Sequence, residues 1–134
     1  MSEVARFPVA YFAWLFAGAS VAVVGLHLVL ILGAPIGFMT MGGRNQGVLP
    51  IGARVASLVQ AVLIVVCAAV VLKSAGVIAT SVVPSGGWWL WLVVGISGLS
   101  FVANTITPER RERLFGMPVT LALLIGSLGV ALGV

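Results

Sequence analysis

The chain has 134 residues, of which 61% are hydrophobic and 7% charged, and its net charge is +4. Its mean hydropathy is +1.25. Soluble domains carry roughly 25% charged residues, so this composition excludes a soluble globular protein and is typical of an integral membrane protein. The small positive charge gives no indication of a nucleic-acid partner.

The charged residues divide the chain into four apolar intervals, each long enough for a helix of about 20 residues to cross a hydrocarbon core of about 30 Å. Clusters of proline and glycine mark the ends of these helices. We therefore predict an all-α integral membrane protein, a four-transmembrane-helix bundle that forms a single membrane domain over residues 1–134. The predicted helices are at about 7–32, 51–72, 88–106 and 117–134. The first is too long for the apolar core of a signal peptide, so we interpret it as a retained span.

The first loop, residues 33–50, contains five glycines and two prolines. It has no lysine, so it is not a phosphate-binding P-loop. Glycines permit positive φ, and so Gly42 and Gly43, beside Arg44, could let backbone amides line a cavity or let the loop enter the headgroup region. An ordinary turn-rich linker is the alternative interpretation.

The segment 105–118, TITPERRERLFGMP, holds half of the charged residues of the chain. Its Thr107, Pro108 and Glu109 have the pattern of an N-cap, a first-turn proline and a first-turn acid, which predicts a short interfacial helix at about 108–115. We interpret the basic residues after them as a topology anchor, with docking of an acidic partner or a lipid headgroup as the alternative. These residues are Arg110, Arg111 and Arg113.

The distribution of basic residues predicts the orientation of the chain in the membrane. The first and third loops lie on one side and carry five basic residues, whereas the other side carries only Arg6 and Lys73. The positive-inside rule places the five residues in the cytoplasm and both termini outside. We expect a multi-pass protein of a bacterial inner membrane, surrounded by membrane lipids.

Each predicted span has a stripe of small or polar residues at spacings of three and four. Helices in a bilayer associate through close packing at small residues and through hydrogen bonds, so these stripes should face one another in a left-handed bundle. The stripes comprise Ala13, Ala17, Ser20, Val24 and His27; Ala53, Ser57, Gln60, Ile64 and Cys67; Val93, Ser97, Ser100 and Asn104; and Thr120, Leu124, Ser127 and Ala131.

Several polar members of these stripes lie at a similar depth. His27 and Gln60 are each about 9 Å from the first loop at 1.5 Å per residue, and Asn104 is one turn from the third loop on the same side. Polar groups facing hydrocarbon need partners, so we expect these three residues to bond to one another, to Ser57 or Thr120, or to water. The cluster is either a structural knot or a solute or ion site, and a metal, haem or catalytic role is the third possibility.

Metal and catalytic chemistry have little support in the sequence. One histidine and one cysteine, Cys67, are too few for a metal site in a single chain. The spans contain no pair of carboxylates and no nucleophile beside a base. We therefore expect no metal, no cofactor, no catalytic residues and no enzymatic activity.

The segment LHLVLILGAPIGFMTMGGRNQGVLP together with NTITPERRERLFGMPV resembles small, uncharacterised four-span bacterial membrane proteins. The resemblance covers most of the chain and implies the four-span fold, and it carries no activity with it. The residues that carry it are His27, Gly33, Pro35, Gly42, Gly43, Pro50, Asn104, Thr107, Pro108, Glu112 and Arg113.

Two classes of function remain open on these observations. The first is a noncatalytic bundle, either a homo-oligomer or an accessory subunit beside a membrane-protein partner. Apart from Arg54 in the first turn of the second span, the spans contain no Asp, Glu, Lys or Arg, and His27 is their one histidine. The second is an oligomeric channel or small-solute carrier, with the polar layer in the cytoplasmic leaflet as its constriction. A sealed knot of polar groups would favour the first class, and a continuous path for water the second.

The orientation can be tested with topology reporters. Fusions at Ser85 and at the C-terminus should both behave as periplasmic, because both positions lie on the side with fewer basic residues. Alkaline phosphatase activity paired with the absence of green fluorescence measures this. Cytoplasmic signals from both fusions would reverse the orientation and leave the number of spans unchanged.

Overall fold

The computed structural model describes the backbone of residues 3–133 and the side chains of residues 9–133. Within that part of the chain the fold is all-helical, which confirms the predicted class. The helices are α1 (Glu3–Ile31), α2 (Ile51–Ser74), α3 (Gly87–Ile106) and α4 (Arg110–Gly133), with short 3₁₀ turns at Gly37–Met39 and Met41–Gly43. All four are long and apolar enough to cross a membrane. The side chain of Arg6 and the predicted end of the fourth helix at Val134 lie outside the described residues.

The prediction of a separate interfacial helix before the fourth span is wrong. A single helix, α4, begins at Arg110 and continues through Pro118 to Gly133. Proline removes one backbone N–H and leaves the carbonyl of Leu114, four residues earlier, without its helical partner. Leu114 is exposed, and its position near the helix end allows water or lipid headgroups to replace that bond. The predicted break therefore becomes an ordinary turn of the helix.

The start of α4 also differs from the predicted cap. Thr107 follows the last residue of α3 with φ −59° and ψ 138°, which is not helical. Glu109 provides the carbonyl that accepts the first backbone hydrogen bond, from the N–H of Arg113. Pro108 thus precedes the helix. The turn between α3 and α4 is short because a proline disfavours helical geometry in the residue before it, which ends α3 at Ile106.

The four helices are arranged around a central pair, α1 and α4. The helix α2 packs on α1 and α3 packs on α4, whereas α2 and α3 touch each other only slightly. The central pair approaches closely because α4 presents glycines to α1. A Cβ atom on Gly126 would lie 2.8 Å from the carbonyl oxygen of Phe12 and 2.9 Å from the backbone nitrogen of Phe16. Such close approach at small residues is the usual basis of helix association in membranes.

The packed core lies in the half of the bundle that contains the start of α1 and the loop between α2 and α3. It consists of Val9, Ala13, Phe16, Cys67, Val70, Val71, Leu90, Val93, Leu123 and Val130. The α2–α3 loop is tied to this end by two hydrogen bonds, from Lys73 Nζ to the carbonyl of Val83 (2.7 Å) and from the N–H of Gly86 to Ser74 Oγ (2.8 Å).

The predicted stripes face the interior with one exception. Every stripe residue is buried or half-buried except Gln60, which is exposed on α2. The exception arises because α2 has no helix other than α1 closely packed against it. Gln60 therefore lies on the side of α2 that faces the gap toward α3.

The contact between α1 and α4 can be tested by a matched pair of Gly→Ala changes. Gly126→Ala should destabilise the bundle by about 1–3 kcal/mol, because the added methyl meets backbone atoms that cannot move alone. Gly18→Ala places a methyl in open space on α1 and should leave stability unchanged or raise it by up to about 1 kcal/mol. Thermal unfolding in detergent measures both, and equal melting temperatures would contradict the assigned contact.

Candidate functional site

A cavity of about 430 Å³ lies between the helices in the half of the bundle nearest the first loop. All four helices and the first loop contribute to its wall. Its polar lining residues are His27, Thr40, Gln60, Ser100, Asn104, Glu112 and Thr120. Its volume falls in the range of about 300–1,000 Å³ that is typical of small-molecule sites. Four of the five residues predicted as a polar cluster thus surround one space.

The fifth, Ser57, bonds to the histidine. His27 and Ser57 are both buried, and His27 Nδ1 is joined to Ser57 Oγ by a hydrogen bond of 3.0 Å that links α1 to α2. The bond leaves Nε2 as the other hydrogen-bonding atom of a ring that lines the cavity. An imidazole with one nitrogen held by a serine has a fixed ring orientation, which is a property of a recognition site as well as of a structural contact.

Asn104 and Thr120 obtain their hydrogen bonds inside their own helices. Asn104 Nδ2 donates to the carbonyl of Ser100 (2.8 Å), and Thr120 Oγ1 donates to the carbonyl of Gly116 (2.5 Å). The Asn104 side chain lies directly against Gly116, where any Cβ atom would collide with it. The glycine therefore allows α3 and α4 to meet at the cavity wall.

Gln60 lines the cavity, and its side chain has no hydrogen bond within the described residues. The structure thus joins His27 to Ser57 and places Gln60, Asn104 and Thr120 around the same space without bonds between them. No buried side-chain nitrogen or oxygen in the described part of the chain lacks a partner. The polar cluster is therefore an open lining rather than a closed network of mutual hydrogen bonds.

Glu112 is a lining residue that the sequence analysis assigned only to the charged segment. Its Oε2 accepts a hydrogen bond of 3.1 Å from Thr107 Oγ1, and its side chain reaches the cavity wall. The signal that could have found it is the stripe of α4. Glu112, Gly116 and Thr120 follow one another at intervals of four residues, so they share a face of the helix once Pro118 is accepted inside it.

The first loop covers the same end of the cavity, but with other residues than those predicted. Met39, Thr40 and Met41 line the cavity, whereas Gly42 and Gly43 pack against the turn between α3 and α4. Both glycines have positive φ, 68° and 74°, and a Cβ atom on Gly43 would lie 2.8 Å from Cβ of Glu109. Here glycine satisfies both the backbone conformation and the close approach of the loop.

Arg111 holds the first loop onto the start of α4. Its guanidinium lies 3.5 Å from the centroid of the Phe38 ring, its Nη2 donates to Gln46 Oε1 (3.1 Å), and its Nε donates to Glu109 Oε1 (2.8 Å). A cation over an aromatic face contributes about 0.5–2 kcal/mol depending on its desolvation. Arg111 thus fastens the loop that covers the cavity.

The other arginines proposed as a topology anchor or docking site differ in their availability. Arg113 Nη1 donates to the carbonyl of Thr107 (2.6 Å), so it stabilises the α3–α4 turn. Arg110 is exposed and has no side-chain partner among the described residues. Arg44 is likewise exposed and without such a partner in that part of the chain. Of the three predicted docking residues, Arg110 is thus the one whose side chain has no partner in the described part of the chain, and Arg44 of the first loop is a second such cation.

Comparisons with family models, with curated proteins and with solved structures give no match for this chain. Residues 9–133, whose side chains are described, contain no group of three or more metal-ligating side chains close enough to hold an ion. Cys67 is a buried free cysteine that lies in the core and also borders the cavity. The groups available at the site among the described residues are therefore neutral hydrogen-bonding side chains, one imidazole, one thiol and one carboxylate.

The contact between His27 and Ser57 can be measured by a double-mutant cycle of His27→Leu and Ser57→Ala. We expect a coupling of about 0.6 kcal/mol, the average for hydrogen bonds between transmembrane helices, because each single change removes the same bond. The control cycle is His27→Leu with Gln60→Leu, which should be additive since these residues do not bond. Reversible unfolding in detergent gives both values, and equal couplings in the two cycles would contradict the contact.

Proposed function

We propose that this chain is a noncatalytic, multi-pass membrane bundle whose cavity binds a small solute. Of the two classes of function left open by the sequence, this is the second, in its carrier form. The single observation that carries the proposal is the collection of polar side chains from all four helices around one open space. A purely structural knot would consume these groups in bonds between helices. Among the described lining residues, His27 alone bonds to a side chain of another helix, whereas Asn104 and Thr120 each donate within their own helix. The side-chain oxygens of Asn104 and Thr120 and the amide of Gln60 stay available at the cavity wall.

A binding or carrier role is better supported than an open channel. The half of the bundle beyond the cavity is filled by the packed core, in which Phe16 and Val71 are fully buried. A path through a single chain would have to cross that core, and packed interiors leave few voids as large as a water molecule. A solute entering this cavity therefore meets a closed end, as in a binding site that opens to one side.

The role of accessory subunit or homo-oligomer has no specific contact in its favour. The outer face of α2 is broadly apolar, with exposed residues such as Val55, Val59 and Val62. Lipid tails cover such a face in any membrane helix, so exposure there does not indicate a protein partner. A binding bundle remains compatible with membership of a larger complex. We place the cavity in the cytoplasmic leaflet of an inner membrane, with both termini outside, on the distribution of basic residues.

Access to the cavity can be tested by cysteine labelling in a Cys67→Ala background. Thr120 lines the cavity, whereas Ser127, two turns along the same helix, is fully buried outside it. The probe is methyl methanethiosulfonate, a small neutral reagent. We expect Thr120→Cys to react faster than Ser127→Cys by about tenfold or more, since burial in a packed core excludes the reagent.

A third variant separates access through the cavity from access by local unfolding. Ala103 lies on the cavity wall and is exposed, so Ala103→Trp can fill the opening without disturbing the core. It should slow the labelling of Thr120→Cys, and Val62→Trp, on the outer face of α2, should not. Equal labelling of Thr120→Cys and Ser127→Cys, or no effect of Ala103→Trp, would overturn the proposed function.

A further inference from the structure

Glu112 is the one Asp, Glu, Lys or Arg side chain among the described residues that line the cavity. Its Oε2 bonds to Thr107, and its other carboxylate oxygen has no partner within the described part of the chain. The salt bridge found between described residues joins Arg111 to Glu109 and does not include Glu112. A carboxylate at a partly apolar site and without a counter-ion is unfavourable, so this wall of the cavity favours a cation.

The nearby cations are directed elsewhere. Arg111 lies over Phe38 and bonds to Gln46 and Glu109. Arg113 bonds to the carbonyl of Thr107, and neither arginine lines the cavity. In the described part of the chain no Lys or Arg lines the cavity or forms an ion pair with Glu112, although Arg113 bonds to the same residue, Thr107. The carboxylate is therefore the charged group that a solute inside the cavity contacts directly.

The polar lining residues lie toward the loop end, beside apolar ones such as Met39 and Phe115, and the innermost lining is apolar. Glu112 and Thr40 lie at the loop end of the cavity. Along α4 the lining continues through Thr120 to Leu123, which lies about 16 Å deeper than Glu112 at 1.5 Å per residue. On the other helices the inner part of the wall includes Ile64 and Ile96. A molecule that matches this wall has a polar head at the loop end and an apolar body toward the core.

The cavity reaches the surface of the bundle between α2 and α3. Gln60 and Leu63 on α2 and Ala103 on α3 are all exposed and all line the cavity. These two helices touch only slightly, so a gap remains between them in this half of the bundle. In a bilayer the outer sides of membrane helices face lipid, which makes this gap a lateral route for molecules dissolved in the membrane.

We propose that the cavity binds amphipathic ammonium compounds, which enter from the lipid between α2 and α3 and place their cationic head at Glu112. This inference rests on the proposed function and adds to it the class of ligand and the residue that selects it. The apolar chain of the ligand lies along the inner wall, and the ammonium group supplies the counter-ion for the Glu112 carboxylate. Two sources share this chemistry, a free single-chain amine and the amine headgroup of a phospholipid.

The test measures protection of Thr120→Cys from methyl methanethiosulfonate, in the Cys67→Ala background and in dodecyl maltoside. The probes are dodecyltrimethylammonium, dodecyl sulfate and dioleoyl phosphatidylethanolamine. We expect dodecyltrimethylammonium to slow labelling by about fivefold more than dodecyl sulfate does, which corresponds to a preference of about 1 kcal/mol. Protection by the phosphatidylethanolamine would identify the lipid as a source, and protection by the single-chain compound alone would identify free amines.

Glu112→Gln removes the charge and keeps the size and the acceptor for Thr107, so it should abolish the preference for the cation. Glu109→Gln is the matched control, because Glu109 carries the same charge and does not line the cavity. Glu112→Asp, which keeps the charge, should retain a reduced preference and guards against loss by misfolding. A preference that survives Glu112→Gln, or equal protection by the cation and the anion, would overturn this inference. If Thr120→Cys is unreactive without any additive, the proposed function itself fails.

Discussion

The contact of α4 with α1 at Gly126 is the constraint on which the rest of the bundle depends. A helix can approach the backbone of its neighbour this closely only where no Cβ atom intervenes. The resulting pair occupies the centre, and α2 and α3 are left to pack on opposite partners. Because α2 and α3 are attached to different helices, nothing forces them together near the first loop. The cavity is the space that this arrangement leaves.

The two halves of the bundle satisfy the requirements of the membrane in different ways. One half excludes solvent and lipid with a conventional apolar core. The other half keeps polar side chains, and those of His27, Asn104 and Thr120 are each held in position by side-chain hydrogen bonding. Fixed polar groups around an open space are preorganised for a ligand, since little further ordering of the protein is needed on binding.

Much of the fold follows from simple counting in the sequence. The charge-free intervals define four spans, and the spacing of small and polar residues identifies the inward faces, as at Ser57, Ser97 and Ser127, which are all buried. Depth along each helix also brings His27 and Asn104 to one level. These inferences succeed because they depend on local periodicity and on the thickness of a membrane, both of which are independent of how the helices are paired.

The remaining features depend on pairing and could not be derived in that way. Gln60 has the spacing of an inward residue, but it is exposed because α3 does not cover α2 there. In the sequence Pro118 predicts the start of a new helix, yet α4 continues through it. Because the predicted helix begins too late, Glu112 is not assigned to the helix face that it shares with Thr120. The contact of Arg111 with Phe38 joins segments more than seventy residues apart, and no local sequence pattern predicts it.

If ligands reach the cavity through the gap between α2 and α3, as we propose, that route also determines which concentration governs its occupancy. A molecule that arrives through this gap comes from the bilayer, so the occupancy of the cavity follows its mole fraction among the lipids rather than its concentration in water. Adding empty vesicles would therefore lower the mole fraction of the ligand and reduce the occupancy of the cavity. Adding buffer would leave the occupancy by a water-insoluble ligand unchanged. Within a cell, the synthesis and turnover of the surrounding lipid would then set how often the cavity is filled.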